Sequence, residues 1–235
     1  MNFEKFNTDL IHEQFISETP YNHVVIDNFL ETSYISDLHN EIKGYKEMMD
    51  DDYKKFNADM ITQTKKIGLS DINRMGPLGK EFFQIANSPE MINFVQKVTG
   101  IKDLLPDPLF YGGGIHRTTK GGRLGIHADF NIHPIHQTHR RVNMLLYLND
   151  NWKTEYNGEL ELWSKDMSSC DKKISPIFNR VVIFRITDDA FHGHPIRWEG
   201  DEPRLSIALY YYSKDRPEEE KNPPHMALWM QQFSD

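Results

Sequence analysis

Short β-rich segments separated by turn residues fill the second half of the chain, and they limit its fold more narrowly than any other feature. They include "VNMLLYLN" (142–149), "GELELW" (158–163), "RVVIFRI" (180–186) and "RLSIALYYYS" (204–213). Several short strands at this spacing are typical of a β-sandwich or a jelly roll. We therefore predict a mainly β core, of jelly-roll or cupin-like form, in this part of the chain.

The last of these segments alternates between two kinds of side chain. Leu205 and Ile207 share one face of the predicted strand, whereas Arg204 and Ser206 share the other. The apolar face is expected to pack against helices. The small, polar face around an arginine is expected to line a cavity.

The first half has the pattern of helices. Apolar residues at spacings of three and four predict a helix over 33–49, with Ser33 as a candidate N-cap. A second helix is predicted over 88–100, since it starts with Ser88 followed by proline and stops at Gly100.

The polar stretch 50–79 between these helices is weakly periodic and is interpreted as a long loop or lid, with Asn73 and Arg74 as candidate contacts.

The chain of 235 residues is long enough for one sizeable core. We expect a single domain in which 1–100 is largely helical support and lid, 101–213 is the jelly-roll core and 214–235 is a C-terminal tail. Within that tail, the apolar residues of 225–233 predict a short helix that docks back onto the core.

Charge and cysteine content exclude several classes of protein. Lys and Arg number 27 against 35 Asp and Glu, a formal net charge of −8 that disfavours nonspecific binding to nucleic acid. No apolar run approaches the ~20 residues that span a bilayer, and the first residues lack the apolar centre of a secretory signal. The lone Cys170 excludes an intramolecular disulfide. We expect a cytoplasmic protein whose metal site, if present, uses histidine and carboxylate.

Four histidines crowd into "HADFNIHPIHQTH", which begins at His127. On a strand, residues i and i+2 point the same way, so His127 and Asp129 would offer an imidazole and a carboxylate together. A third ligand is expected from "DAFHGHP" (189–195), where His192 and His194 have equal strand parity. Two histidines and one carboxylate leave open coordination positions and suit a non-haem Fe(II) oxygenase.

The other three histidines of this stretch, His133, His136 and His139, lie in a proline-containing loop. They are expected to be exposed, with one of them a candidate substrate contact at the mouth of the site.

Five pieces between Tyr111 and Ser213 resemble the Fe(II)- and 2-oxoglutarate-dependent oxygenases, specifically the prolyl 4-hydroxylase-like branch. In order they are "GIHADF", "RRVNMLLYLNDNW", "NGELELW", "RVVIFRITDDAFHGHP" and "PRLSIALYYYS". The resemblance implies a double-stranded β-helix, which is a jelly roll flanked by helices.

The resemblance also assigns metal ligands. His127 and Asp129 match the first two iron ligands of the family, and His192 matches the third. The family's arginine typically follows that histidine by about a dozen residues, and Arg204 lies twelve positions after His192 but ten after His194. The resemblance therefore favours His192 and makes His194 a neighbouring or substrate-side group.

Three residues are candidates for binding the cosubstrate, two of them from the same resemblance and one from its position on the strand. Arg204 matches the residue that binds the distal carboxylate of 2-oxoglutarate, where a guanidinium can form two parallel charge-assisted hydrogen bonds. Tyr147 matches a tyrosine that contacts the same carboxylate, with a core aromatic as the alternative. Asn143 shares the strand face of Tyr147 and is the third candidate.

The implied reaction uses Fe(II), 2-oxoglutarate and O2 to hydroxylate an unactivated C–H bond, with release of succinate and CO2 and with ascorbate as a further candidate cofactor. A small molecule or a peptide, such as a prolyl residue, an amino acid or another metabolite, is the expected substrate, and Lys120 and Arg123 are candidate contacts. No nucleic-acid or membrane partner is expected. Asp129 favours hydroxylation, since related halogenases lack this carboxylate.

Two other classes compete with the oxygenase. One is a cupin-like protein that binds a metal or ligand without turnover, and the other is a hydrolytic or isomerising metalloenzyme on a related barrel. Neither needs an arginine one strand beyond the last ligand, so Arg204 discriminates between the hypotheses.

Overall fold

The computed structural model describes residues 3–56 and 60–230 of the chain. Its α-helices lie in the first half: α1 (Thr8–Ser17), α2 (Thr32–Lys43), α3 (Lys46–Phe56), α4 (Pro77–Ala86) and α5 (Pro89–Thr99). Its strands are β1 (His23–Ile26), β2 (Gln63–Leu69), β3 (Gly114–Ala128), β4 (His139–Tyr147), β5 (Leu160–Trp163), β6 (Cys170–Ile174), β7 (Val181–Arg185), β8 (His192–His194), β9 (Arg204–Ser213) and β10 (Leu228–Trp229). None of the helices within these two ranges is long and apolar enough to cross a membrane.

The strands form one curled antiparallel sheet in the order β1-β7-β4-β9-β3-β8-β5-β6, with β2 and β10 added along β3. The long strand β3 joins the two halves of this sheet: its first part, Gly114–Thr118, pairs with β9, and its last part pairs with β8. The predicted mainly β fold with flanking helices, a double-stranded β-helix, is confirmed. The predicted division into 1–100, 101–213 and 214–235 stays a prediction.

The alternation predicted for β9 matches the packing. Leu205 and Ile207 lie in the main apolar core together with Phe82 of α4 and Phe94 of α5. Arg204, from the opposite face of β9, lines a cavity of about 250 Å³. The helices therefore seal one face of the sheet, and the concave face remains available for chemistry.

The helix predicted over 88–100 is confirmed as α5. The Ser88 side chain accepts a hydrogen bond from the Met91 amide at 3.3 Å, and Gly100 ends the helix in the left-handed region at φ +72°. Such a glycine caps a helix without the steric cost that a Cβ would bring.

The single helix predicted over 33–49 was wrong, because the chain breaks it into α2 and α3 near Gly44. Ser33 is not the N-cap: Glu31 occupies that position and makes no side-chain capping bond. Glu41 of α2 instead accepts hydrogen bonds from the Leu78 and Gly79 amides in the first turn of α4. This carboxylate satisfies backbone donors of a distant helix, which a pattern of local spacing does not reveal.

The prediction of a long loop over 50–79 was also wrong for the residues that the structure describes. This stretch contains most of α3, all of β2 and the start of α4. The pattern failed because β2 is a polar strand, "QTKKIGL", whose backbone bonds go to the distant β3. Arg74, a candidate lid contact, is tied to Asp52 at 2.7 Å.

The helix predicted over 225–233 was wrong where the chain is described; residues 231–235 lie outside the described residues. Leu228 and Trp229 form the short strand β10 against Ala128 and His127. The predicted docking onto the core does occur. It uses the open edge of β3, whose unpaired backbone groups accept a strand.

The two serines give a test of these helix ends. We expect Ser88→Ala to lower the free energy of unfolding by about 1 kcal/mol, since it removes a capping bond. Ser33→Ala should change it by less than about 0.5 kcal/mol, because this exposed serine makes no capping bond. Urea unfolding of the two variants measures both values, and equal losses would contradict the assigned helix ends.

Candidate metal and cosubstrate site

Three buried side chains converge where β3 meets β8. His127 pairs directly with His192 across these strands, and Asp129 follows the end of β3. The two oxygens of Asp129 lie 3.5 Å from Nε2 of His127 and 3.4 Å from Nε2 of His192. One ligand atom from each residue falls within a group 4.8 Å across, small enough to surround one metal ion.

The two imidazoles are oriented in the way that metal-binding histidines need. Nδ1 of His127 donates to the Gly125 carbonyl at 2.9 Å, and Nδ1 of His192 donates to the Ala190 carbonyl at the same distance. The proton therefore sits on Nδ1 and the Nε2 lone pair points inward, toward the carboxylate. Two nitrogens and one carboxylate oxygen fit Fe(II), with positions left for further ligands.

The protonation states also fit metal binding. Burial lowers the pKa of His127, although Asp129 acts in the opposite direction, so the ring is neutral near pH 7. Burial by itself would raise the pKa of Asp129, but Arg140 and the neighbouring histidines outweigh it and hold that pKa well below its ordinary value. Both groups are thus in the deprotonated form that binds metal.

Arg140, which the sequence analysis missed, holds Asp129 in place. Its Nη2 lies 2.9 Å from Oδ2 of Asp129, and its guanidinium stacks 3.5 Å from the ring centre of Tyr210. Asn143 completes the network: its amide donates to Asp129 at 2.8 Å and its oxygen accepts from Arg140 at 3.0 and 2.8 Å. Asn143, predicted to contact the cosubstrate, thus contacts the carboxylate of the donor group.

This network could not be predicted from local residue patterns, because a β-bulge creates it. Arg140 and Asn143 are three positions apart, so in a regular strand they would face opposite sides of the sheet. The register of β4 against β9 shifts between Arg140 and Val142, which brings both side chains to the same side.

Arg204 and Tyr147 lie elsewhere along the same concave face. Nε of Arg204 donates to the Gly158 carbonyl at 2.8 Å, and its guanidinium carbon lies 5.1 Å from the ring centre of Tyr147. The buried Tyr147 hydroxyl has no hydrogen-bond partner among the described residues. Because Arg204 lines the same cavity as the donor group, a guanidinium faces the space beside a candidate metal site.

His194 does not belong to the donor group found around Asp129. It is buried in the same cavity, and neither of its ring nitrogens has a partner in the described part of the chain. Burial, with Arg204 next in effect, places its pKa well below the ordinary value, so the ring is neutral. The geometry favours His192 over His194 as third ligand.

The candidate substrate contacts upstream of the site lie apart from it. The Lys120 ammonium pairs with Asp201 at 2.7 Å on the surface. Among the described residues, those that line the cavity around the donor group include neither Lys120 nor Arg123. The cavity is instead bordered by Lys66 of β2 and Trp229 of β10, both of which lie in segments whose structure was predicted incorrectly.

The loop histidines were predicted to be exposed, which is wrong for His133: it is 1% exposed, although His136 is at the surface. His133 and His136 form a second candidate donor group with Asp107. Here, however, Nδ1 of His133 accepts from the Ile135 and His136 amides, so its proton sits on Nε2, facing Asp107 at 3.4 Å. This hydrogen-bond direction suits a loop anchor and does not suit a metal ligand.

The role of Arg140 can be tested by metal affinity. We expect Arg140→Gln to weaken metal binding by roughly 10–100-fold, because Asp129 loses a charged partner that orients it. Arg141→Gln is the matched control, since that guanidinium pairs with Glu220 at 3.6 Å, away from the donor group. Calorimetric titration with Mn²⁺ measures both, and equal affinities would remove Arg140 from the site.

Comparisons with known proteins agree with this geometry. A family model of the 2OG-Fe(II) oxygenase superfamily matches residues 113–212. A curated relative, prolyl 3-hydroxylase OGFOD1 of Mus musculus, is 26% identical over 214 residues, which cover 87% of this chain and 35% of that protein. The chain thus spans about a third of the length of that relative.

Two solved structures show the same fold. One is a prolyl hydroxylase from Trichoplax adhaerens in complex with a peptide fragment of hypoxia inducible factor, with a TM-score of 0.58, 16% identity, and coverage of 88% of this chain and 90% of that one. The other is HygX from Streptomyces hygroscopicus with nickel, 2-oxoglutarate and hygromycin B, with a TM-score of 0.55, 12% identity, and coverage of 94% and 96%. The predicted likeness to 2OG-Fe(II) oxygenases, and to prolyl hydroxylases among them, is confirmed over residues 113–212, which are similar to the 2OG-Fe(II) oxygenase superfamily.

Proposed function

We propose that this protein hydroxylates an unactivated C–H bond in a reaction that consumes O2 and 2-oxoglutarate and releases succinate and CO2. The observation that carries the proposal is one cavity lined both by a group of two histidines and an aspartate and by an arginine that forms no salt bridge within the described part of the chain. The first suits Fe(II) and the second suits a carboxylate. A cupin-like binding protein, or a hydrolytic metalloenzyme, would not need the second feature.

In this proposal His127, Asp129 and His192 hold Fe(II). Bound Fe(II), together with 2-oxoglutarate and O2, supplies the oxidising chemistry. The protein's own part is to fix the ligands: two backbone carbonyls orient the imidazoles, and Arg140 and Asn143 orient the carboxylate. The ligands are therefore placed before the metal arrives, which lowers the cost of binding it.

Arg204 is proposed to bind the distal carboxylate of 2-oxoglutarate, with the Tyr147 hydroxyl as a second donor. Nε of Arg204 is already held by the Gly158 carbonyl, so the guanidinium is oriented in advance. A buried hydroxyl without a partner is costly, and a carboxylate oxygen would satisfy it.

Aromatic side chains are proposed to keep water from the reacting centre. The ring of Trp229 packs against that of His127 in a tilted arrangement with 4.5 Å between ring centres, and Phe130 borders the same cavity. A closed, apolar wall protects reactive species from water and from side reactions.

The substrate is proposed to be a prolyl residue of a peptide, an amino acid or another small metabolite. A prolyl hydroxylase relative and a solved structure with a bound peptide support the first, and a relative crystallised with hygromycin B supports the last. Ascorbate as a cofactor and a cytoplasmic location are also proposed, the latter because the acidic chain carries a single cysteine.

The metal ligands can be tested by spectroscopy. We expect Fe(II) and 2-oxoglutarate, added without O2, to give a visible charge-transfer band that Asp129→Ala and His192→Ala abolish. His194→Ala should keep the band, and so should His133→Ala, the control from the second donor group. A band lost in His194→Ala but kept in His192→Ala would reverse the assignment of the third ligand.

The arginine can be tested by cosubstrate binding. We expect Arg204→Gln to weaken 2-oxoglutarate binding by roughly 10–100-fold, as expected for the loss of a hydrogen bond to a charged group, with Fe(II) binding retained. Calorimetry on metal-loaded protein measures both affinities. A screen of prolyl peptides, amino acids and aminoglycosides for succinate release then tests turnover. Tight 2-oxoglutarate binding without turnover on any compound would favour the binding protein.

A further inference from the structure

Lys66 lines the cavity around the donor group together with Arg140 and Arg204, and it is the one of these three cations that has no role in the proposed function. It lies on β2 opposite Thr118 of β3, and Thr118 lies opposite Arg204 of β9. The three residues therefore stand side by side across three neighbouring strands. At ~4.8 Å per strand, the backbones of Lys66 and Arg204 are about 10 Å apart, a gap that two long side chains can close from both ends.

The side chain faces the cavity because of a bulge. Gln63 and Lys66 both line the cavity, although residues three apart face opposite sides of a regular strand. The register of β2 against β3 shifts between Thr64 and Lys66, and Lys65 takes the left-handed conformation at φ +48°. This conformation is uncommon for a residue other than glycine and is found at sites where a side chain is redirected.

Neighbouring side chains show which face of β2 borders the cavity and which face packs against the core. Ile67 packs against the main apolar core on the helix side of the sheet, together with Leu69. Lys65 points away from the cavity and donates to the Lys120 carbonyl at 3.2 Å. Of the two adjacent lysines, only Lys66 borders the site.

The charges in the cavity leave Lys66 without an anion. Asp129 is already bound by Arg140 and Asn143. Among the described residues, no carboxylate lies within 4.0 Å of the Lys66 ammonium or of the Arg204 guanidinium. Burial, with Arg204 next in effect, lowers the pKa of Lys66 to about 8, although Asp129 acts in the opposite direction. Two cations that face one cavity repel each other, and an anion between them would remove that cost.

We propose that Lys66 and Arg204 bind one carboxylate from two sides, the distal carboxylate of 2-oxoglutarate. The inference rests on the proposed function, because it needs 2-oxoglutarate to occupy this cavity. It gives β2 a function: the strand carries a cosubstrate contact. An anionic group of the primary substrate is the alternative anion, and the experiment separates the two.

The experiment is calorimetric titration of the Mn²⁺-loaded protein, in which the metal supports binding without turnover. The probes are 2-oxoglutarate and 2-oxopentanoate, which carries a methyl group in place of the distal carboxylate. We expect Lys66→Gln to weaken 2-oxoglutarate binding about tenfold or more and to leave 2-oxopentanoate binding within about twofold. Lys66→Arg should restore most of the loss, because it keeps the charge.

Lys65→Gln is the matched control, the same change one position away on the same strand, and it should bind 2-oxoglutarate like the wild type. Retained Mn²⁺ affinity and an unchanged thermal midpoint in Lys66→Gln show that the fold and the metal site are intact. If Lys66→Gln binds 2-oxoglutarate as tightly as the wild type while Arg204→Gln does not, the inference is wrong and the lysine is left for an anionic substrate. If the wild type itself fails to bind 2-oxoglutarate, the proposed function fails and the inference falls with it.

Discussion

The alignment of β3 with β8 is the constraint on which the candidate site depends. It sets His127 opposite His192, and Asp129 follows at the strand end between the two rings. Side chains on neighbouring strands alternate in register, so a shift of one residue would turn one imidazole to the other face and destroy the donor group. The helices on the outer face and the edge strands β2 and β10 support this register from outside.

Hydrogen-bond direction separates the two groups of histidine and aspartate in this molecule. In the group at Asp129, each Nδ1 donates to a backbone carbonyl, which leaves Nε2 free as a ligand. In the group at Asp107, Nδ1 of His133 accepts from backbone amides, which leaves a proton on Nε2. Similar residue types at similar distances thus suit different roles, a candidate metal site in one place and a loop anchor in the other.

Buried charge is distributed unevenly along the cavity, and that distribution supports the proposed chemistry. At the metal end, the negative charge of Asp129 is balanced by Arg140, whose guanidinium also stacks on Tyr210. At the other end, Arg204 and Lys66 face the same space, and no carboxylate of the described residues lies within 4.0 Å of either cation. Cations that are removed from water without an acidic partner are costly, so a site of this kind is expected to take up an anion.

The sequence by itself determined the β-rich core and helix α5 with its caps, because these follow from local alternation and capping, and the i, i+2 geometry of a strand placed His127 beside Asp129. The preference for His192 over His194 came from the family resemblance, through the spacing to Arg204. Tertiary structure alone decided which further side chains enter the site. The bulge at Arg140 and the bulge at Lys65 each turn a side chain into the site, and both arise from pairing with strands far away in the sequence. Strand β10, which places Trp229 on His127, likewise exists only because β3 offers an open edge. Such features depend on register between distant segments, and no local pattern of residues encodes that register.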